Sequence, residues 1–359
     1  MTPESTVTTA SMNQISNEDL KEIVCQTSSL FDQDFVKGSG LFITGATGFF
    51  GKWLLESFIR LNNELGLDST IYALSRNPEK FLRQYPHFKH EKAIKWLEGD
   101  IRTFAFPPIS VDYIIHAATD ADAILNLKNP LLMLDTITEG TKRVLAFANG
   151  QKELKAFLFT SSGAVYGKQP ENVAHVKETD SFYIDINNPE SAYAEGKRLS
   201  ELYCSVFARE CAIPVKIARC FAFVGPHLPL EKHFAIGNFV HNVLFNQDIV
   251  IKGDGTPLRS YMYATDLIIW LITILLKGKV GYPYNVGSDQ SISIRDLAIL
   301  VNGYQTNKRD VIILGKNNGQ LLEQYVPDTS RCRNELNLHV RVGLDESVQR
   351  TLTFYKQNS

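Results

Sequence analysis

Tyr193 and Lys197 stand four residues apart in Tyr193-Ala194-Glu195-Gly196-Lys197-Arg198. On a helix that spacing puts both side chains on one face, so a phenol and an ammonium can point together into one cleft. A tyrosine with a pKa near ~10 is a poor base at neutral pH, and bringing it toward neutrality needs about 4 kcal/mol of preference for the phenolate. An ammonium about 4 Å away at an effective dielectric of about 20 supplies an interaction of that order. Lys197 is therefore expected to make Tyr193 a usable acid/base, and it can also hydrogen-bond a nicotinamide ribose. Ser162, in Ser161-Ser162-Gly163-Ala164-Val165-Tyr166-Gly167, follows a strand-like run. Its hydroxyl would hold a reacting hydroxyl or carbonyl in line for proton exchange with Tyr193.

A second constellation lies upstream. Thr44-Gly45-Ala46-Thr47-Gly48-Phe49-Phe50-Gly51 follows an apolar run and opens a helix-like segment. That is the context a dinucleotide-binding turn requires. Gly45 would permit the tight turn, Gly48 would let backbone approach a pyrophosphate, and Gly51 would allow close helix-to-strand packing. Thr47, Phe49 and Phe50 complete the turn and the helix start, whose N–H groups attract phosphate. Ser75-Arg76 ends the next strand-like run, where NAD enzymes commonly carry an acidic residue. The Arg76 guanidinium either holds the 2′-phosphate of NADP or is a solvated surface charge, and NADP is the favoured cofactor with NAD as the alternative.

The elements that must position these groups alternate along the chain. Leu41-Phe42-Ile43 precedes a helical pattern over Trp53–Leu65, and Thr70–Leu74 precedes a short helix opening near Pro78. Ile94–Leu97, Tyr113–Ile115, Phe157–Phe159 and Val215–Ala218 continue the strand series, with helical segments over Leu131–Ala148 and from Ala192. This predicts an α/β fold, a Rossmann-type doubly wound parallel sheet covered on both faces. Beyond it, Gly225-Pro226, Gly253-Asp254-Gly255 and Gly281 break the pattern into a smaller mixed C-terminal lobe for substrate. The division reads as an N-terminal extension over 1–38, a Rossmann domain over 39–222 and a substrate lobe over 223–359 that interleaves with the sheet. No internal repeat is visible.

Composition narrows the partners. A chain of 359 residues with 44% apolar residues can bury a large core. Its net charge of −2 argues against nucleic acid as a partner and for small molecules. Cys25, Cys204, Cys211, Cys220 and Cys332 show no metal or disulfide spacing, which fits a reducing cytoplasm and no metal. Residues 1–17 lack the apolar core of a signal peptide and read as a frayed tail. The run Leu267–Leu276 covers about half the ~20 residues of a membrane span and reads as a buried helix.

Together, the glycine turn, the strand-end serine and the Tyr-Lys pair follow the order of the extended short-chain dehydrogenase/reductases. From about Leu41 to Leu338 the chain resembles their nucleotide-sugar epimerase/dehydratase branch, through the segments quoted and through Arg219-Cys220-Phe221, Val224-Gly225-Pro226, Tyr284-Asn285-Val286-Gly287-Ser288 and Asp328-Thr329-Ser330-Arg331. The resemblance implies adenine contacts from Asp100 and Ile101 and a small-residue segment, Ala117-Ala118, beside the cofactor. His116 precedes that segment, and its small neighbours favour packing over catalysis. For a nucleotide-diphosphate sugar, Arg259 would clamp phosphate, His233 to Asn238 would form a loop around the base, and Ser162 and Gly163 would meet the sugar. Arg219 is either structural or a ligand contact, and Asp266 is expected to cap the helix after it.

Sugar 4,6-dehydratases usually carry an Asp-Glu pair where this chain has Gly163-Ala164, and neither of these transfers a proton. Ala222 likewise replaces an Asn that often contacts substrate phosphate. The resemblance thus implies hydride transfer at a sugar carbon, C4, in an epimerase or a 4-ketosugar reductase, with a 4,6-dehydratase or decarboxylase as the alternative. Rivals are a non-catalytic dinucleotide sensor and a steroid or flavonoid ketone reductase. A homodimer through the Tyr193 helix and the long helix before it is also implied.

Overall fold

The computed structural model describes residues 13–119, 123–231, 234–307, 309–316 and 322–358. Its centre is a seven-stranded parallel sheet. Six strands come from the first two thirds of the chain: β1 (Gly40–Thr44), β2 (Thr70–Ser75), β3 (Ile94–Glu98), β4 (Tyr113–His116), β5 (Ala156–Ser162) and β6 (Val215–Cys220). The seventh, Pro283–Val286, comes from the C-terminal part and pairs with β6, so sheet and lobe interleave. The order runs Pro283–Val286, β6, β5, β4, β1, β2, β3. The direction in which successive strands are added reverses between β1 and β4, which opens a crevice at their carboxyl ends, the usual ligand position in such sheets.

Every residue of β1 is buried. Alternation divides them: Leu41 and Ile43 join one apolar core, while Phe42 joins Phe147, Phe157 and Phe159 in the core on the opposite face. Both faces are therefore covered, which is why the strands read as continuous apolar runs. Helices α2 (Phe49–Leu65) and α3 (Pro78–Gln84) lie on the first side of the chain's path. α4 (Ala123–Lys128), α5 (Pro130–Asn149) and α6 (Ala192–Cys211) form the other group, with α5 packed along α6. Asn129 caps α5 by accepting from the Leu132 amide at 3.2 Å, and Pro130 occupies its first position.

The frayed tail expected through Asn17 fails from Asn13 onward. Ile15 is buried and its amide donates to Glu56 Oε2 at 2.9 Å. Ser16 then caps α1 (Asn17–Asp34), which packs against α2 and the later helix α8 (Ala264–Lys277). Asp19 anchors it by accepting from the Tyr263 and Thr265 hydroxyls at 2.9 and 3.0 Å and pairing with Arg350 at 2.6 Å. The N-terminal extension is thus a structural part of the domain from Asn13.

α8 contains the apolar run Leu267–Leu276 and is buried along nearly its whole length. No helix among the described residues is long and apolar enough to cross a membrane. Asp266 does not cap it. The N-cap position is Tyr263, and Asp266 Oδ2 instead accepts the amides of Arg341 and Val342, both at 3.0 Å, tying a distant turn to the helix. Burial pushes its carboxyl up to about 6.

Candidate active site

The glycine turn sits at the crevice. Gly45 has φ +72°, and a Cβ there would lie 2.6 Å from the Ala117 carbonyl oxygen, which follows β4. Only glycine lets β1 and β4 approach so closely in that conformation. A Cβ on Gly51 would lie 2.3 Å from the Gly45 oxygen, so that residue seats α2 against its own turn. Gly48 is the N-cap and is exposed, leaving backbone open beside the first turn of α2. Thr47, Phe49 and Phe50 line that start, with Phe50 edge-on to Phe223. These residues fit a dinucleotide: a cradle that side chains would fill, aimed by a helix N-terminus.

At the next strand ends the picture is richer than expected. Ser75 is buried and accepts from the Asn77 amide, while Arg76 is exposed. Asp100 accepts three hydrogen bonds from Arg102, two of them bidentate at 2.9 and 3.0 Å. The Arg102 guanidinium, with help from Arg76, holds that carboxyl down at about 2. Asp100 therefore holds Arg102 in place beside the end of β3, with Arg76 near enough to act on the same carboxylate. Ile101 is buried against Gly140, where a Cβ would meet it at 3.1 Å. Ala117 and Ala118 are half-buried beside the turn, and the Ala118 amide donates to Thr44 Oγ1 at 3.3 Å.

Ser162 and Tyr193 come together, and Lys197 lies one turn further along the helix that carries Tyr193. Ser162 ends β5, and its Oγ accepts from the Ala164 amide at 3.2 Å. Tyr193 lies in the first turn of α6, fixed where its amide donates to Asn126 Oδ1 at 3.1 Å. Lys197, one turn on, is buried, and its Nζ donates to Thr160 O at 2.8 Å and Thr119 Oγ1 at 2.9 Å. The same Nζ stands 4.9 Å from the Phe159 ring. Burial lowers this ammonium to about 8 and raises the Tyr193 phenol to about 12, with Ser162 pulling the phenol back. The direction on Tyr193 is opposite to the one expected from Lys197, because helical spacing brings two side chains to one face without setting their depth. In the protein itself, Ser162 is the partner that favours the phenolate.

His116 is a packing residue. Its Nδ1 meets Thr44 Oγ1 at 2.7 Å and its Nε2 meets Thr141 Oγ1 at 3.1 Å. Burial depresses it to about 3, so it is neutral. Arg219 is also structural: its guanidinium grips Glu201 at 2.7 and 3.0 Å and donates to Glu178 O at 2.9 Å.

On the substrate side, Gly163 faces the lobe, and a Cβ there would meet the Tyr325 hydroxyl at 2.6 Å and the Phe221 ring at 2.8 Å. Arg259 lies on the strand Leu258–Ser260 and pairs with Glu323 at 3.4 Å, an exposed contact that a phosphate could replace. The loop expected over His233 to Asn238 is helix α7 (Ala235–Leu244) from Ala235 on, because Ile236, Phe239, Val240 and Val243 bury one helical face. Asn238 is exposed in its first turn, and no hydrogen bond among the described residues ties it to Ser162 or Arg259. His233 lies outside the described residues. Two groups escaped the sequence reading, Arg102 and Tyr325. Arg102 carries the local signal of an Asp-x-Arg turn, while Tyr325 comes from a two-residue strand with no motif of its own.

The chain is 27% identical over 319 residues to UDP-glucuronic acid decarboxylase 1 of Arabidopsis thaliana, covering 88% of this chain and 69% of the relative. It is 26% identical over 321 residues to the enzyme of the same name from Xenopus tropicalis, covering 88% and 72%. Among solved structures, UDP-N-acetylglucosamine 4-epimerase from Methanobrevibacter ruminantium M1 superposes with TM-score 0.77 at 20% identity, covering 90% of this chain and all of that one. UDP-glucose 4-epimerase from Thermotoga maritima gives 0.74 at 20% identity, with 89% and 99% covered. The model of the NAD dependent epimerase/dehydratase family matches residues 41–287, which span β1, the glycine turn, the Ser162-Tyr193-Lys197 cluster and the seventh strand, and this chain belongs to that family.

Proposed function

We propose that this chain transfers a hydride at a ring carbon, C4, of a nucleotide-diphosphate sugar. The contact of Ser162 with Tyr193, one helical turn from the buried Lys197, together with the Gly45–Gly51 cradle, carries the reading. A nicotinamide dinucleotide on that cradle would supply the hydride acceptor and donor. Tyr193 would exchange a proton with the sugar oxygen, Ser162 would hold that oxygen and favour the phenolate, and Lys197, braced by Thr119 and Thr160, would hydrogen-bond the ribose. Arg259 would exchange its pairing with Glu323 for a phosphate of the substrate.

Reduction of the ketone in place on its opposite face makes an epimerase, and entry of reducing equivalents from solution makes a 4-ketosugar reductase. A second reading, decarboxylation, is favoured by the relatives' names. A ketone at C4 turns a carboxylate on C5 into a β-keto acid, which loses CO2 readily. Dehydration, the reaction of one structural neighbour, is disfavoured because Gly163 and Ala164 carry no proton-transferring group. A panel of UDP- and dTDP-linked hexoses, hexuronic acids and 4-keto sugars, followed by NMR and by nicotinamide absorbance, tests the proposal. Failure of every nucleotide sugar to bind or turn over would sink it.

NADP is our proposed cofactor, with NAD as the alternative, because Arg76 and Arg102 both act on the strand-end carboxylate Asp100. Arg76→Ala should raise KM for NADP by about 10- to 100-fold, the loss of about 1.5–3 kcal/mol of charged hydrogen bonding, and spare NAD. Equal losses with both cofactors would refute this. We also propose a homodimer through α5 and α6, where Leu131 and Leu202 stay 72% and 58% exposed. Light scattering should give twice the chain mass, and Leu202→Glu should halve it. The five unpaired cysteines fit our placement of the enzyme in the cytoplasm.

A further inference from the structure

We propose that Tyr325 is a second proton donor of this cleft, acting on the ring carbon beside the one that Tyr193 serves. Its strand, Gln324–Tyr325, pairs in parallel with Leu258–Ser260, setting Tyr325 opposite Arg259. The side chain reaches from the lobe to the end of β5, where Ser162 acts on the phenols of both Tyr193 and Tyr325. Phe221 fixes the ring, with centroids 4.7 Å apart. Gly163 makes the room, because a Cβ there would overlap the Tyr325 hydroxyl at 2.6 Å. The position that could have carried an acid or base is thus given up to a phenol from another part of the chain. Two phenols then flank one serine hydroxyl, and a sugar ring held by Ser162 meets both.

Burial raises the Tyr325 phenol above its ordinary range, with Tyr193 adding to the rise and Ser162 and Arg259 opposing it. The group is therefore an acid at neutral pH and a poor base. That selects among reactions beside a C4 ketone. Dehydration needs a base to remove the C5 proton before water leaves. Loss of CO2 from a carboxylate on C5 needs none: the bond between C5 and the carboxyl carbon breaks, its electron pair becomes the enolate, and CO2 departs. The Tyr325 O–H bond then breaks as a new C5–H bond forms, and the phenolate recovers a proton from water that enters as product leaves. The substrate class is a nucleotide-linked hexuronic acid. This rests on the hydride-transfer reading, since the ketone must form first.

The test is turnover of UDP-linked hexuronic acids in D2O with NMR of the product, alongside calorimetric binding of the same sugars. Wild type should give a pentose carrying one deuterium at C5 in a single configuration. Tyr325→Phe should bind the sugar as before, yet lower turnover by about 100-fold or scramble the configuration at C5. Gly163→Ala, which crowds the hydroxyl while keeping the phenol, should reproduce that defect, and it decides the matter if Tyr325→Phe does not melt cooperatively. Stereospecific deuteration at an undiminished rate in Tyr325→Phe would overturn the proposal. So would Tyr193-dependent conversion of hexoses with no action on hexuronic acids, which leaves the hydride-transfer reading standing. Absence of sugar binding in wild type would overturn both.

Discussion

Tyr193→Phe should lower kcat by about 10²- to 10⁴-fold, the usual worth of a positioned acid/base, with KM changed by less than about 3-fold. The ring that packs in the first turn of α6 is retained, and only the hydroxyl near Ser162 goes. The pH profile adds a check. Burial holds the phenol at about 12, so Tyr193 is poised as a donor through neutrality. Lys197 titrates at about 8, so its ammonium is charged below that pH and discharged above it. As Lys197 would hold the cofactor ribose as an ammonium, the wild-type rate should fall as pH rises through about 8. The stability sign runs the other way. A lysine depressed from 10.5 contributes stability in full only above its unfolded value, and that contribution is lost as pH falls through about 8. A Tyr193→Phe enzyme within about 5-fold of wild type would remove Tyr193 from the chemistry, and a rate unchanged between pH 7 and 9.5 would remove the Lys197 ammonium from it.

What could be read in advance was local. The Gly45 turn announces itself because its three glycines answer to steric needs within seven residues, and the φ of +72° at Gly45 is one such need. Tyr193 and Lys197 are legible for the same reason, since one helical turn brings them to one face. Their depth was not legible: Lys197 is buried against the end of β5 and Thr119, and burial pushes it to about 8, an effect of packing and not of spacing. Tyr325 was hidden because it arrives from 163 residues beyond Ser162, and only the Phe221 ring and the bare Gly163 reveal it. The base loop misread at Ala235 had the opposite cause. Its apolar spacing was helical, but the functional analogy favoured a loop. The buried Ile15 beside Glu56 shows the same limit, because a polar tail gives no sign that a single isoleucine will seat it.

Glu201→Leu should cost about 3 kcal/mol of folding stability, the lower end expected when one partner of a buried ion pair is removed. Glu201 and Arg219 are 12% and 14% exposed, and the carboxylate takes the guanidinium through both Nε and Nη2 while accepting from Ser161 Oγ at 2.6 Å. Arg219 also lies over the Tyr166 ring at 4.8 Å. Without Glu201 this guanidinium keeps one carbonyl, Glu178 O, and most of its charge is unanswered. The lower end applies because some water still reaches the pair. The consequence extends to the site. Ser161 is the register partner of Arg219, and Ser162 that of Cys220, so the ion pair clamps the strand end that presents Ser162. Urea denaturation should show the loss, and kcat should fall with it at temperatures where the variant remains folded. The double variant Glu201→Leu, Arg219→Met separates the causes, since removing both charges is often close to neutral in stability. Recovery of stability without recovery of kcat would assign the pair a positioning role at Ser162, and a loss below about 1 kcal/mol in Glu201→Leu would show the pair to behave as a solvated surface bridge.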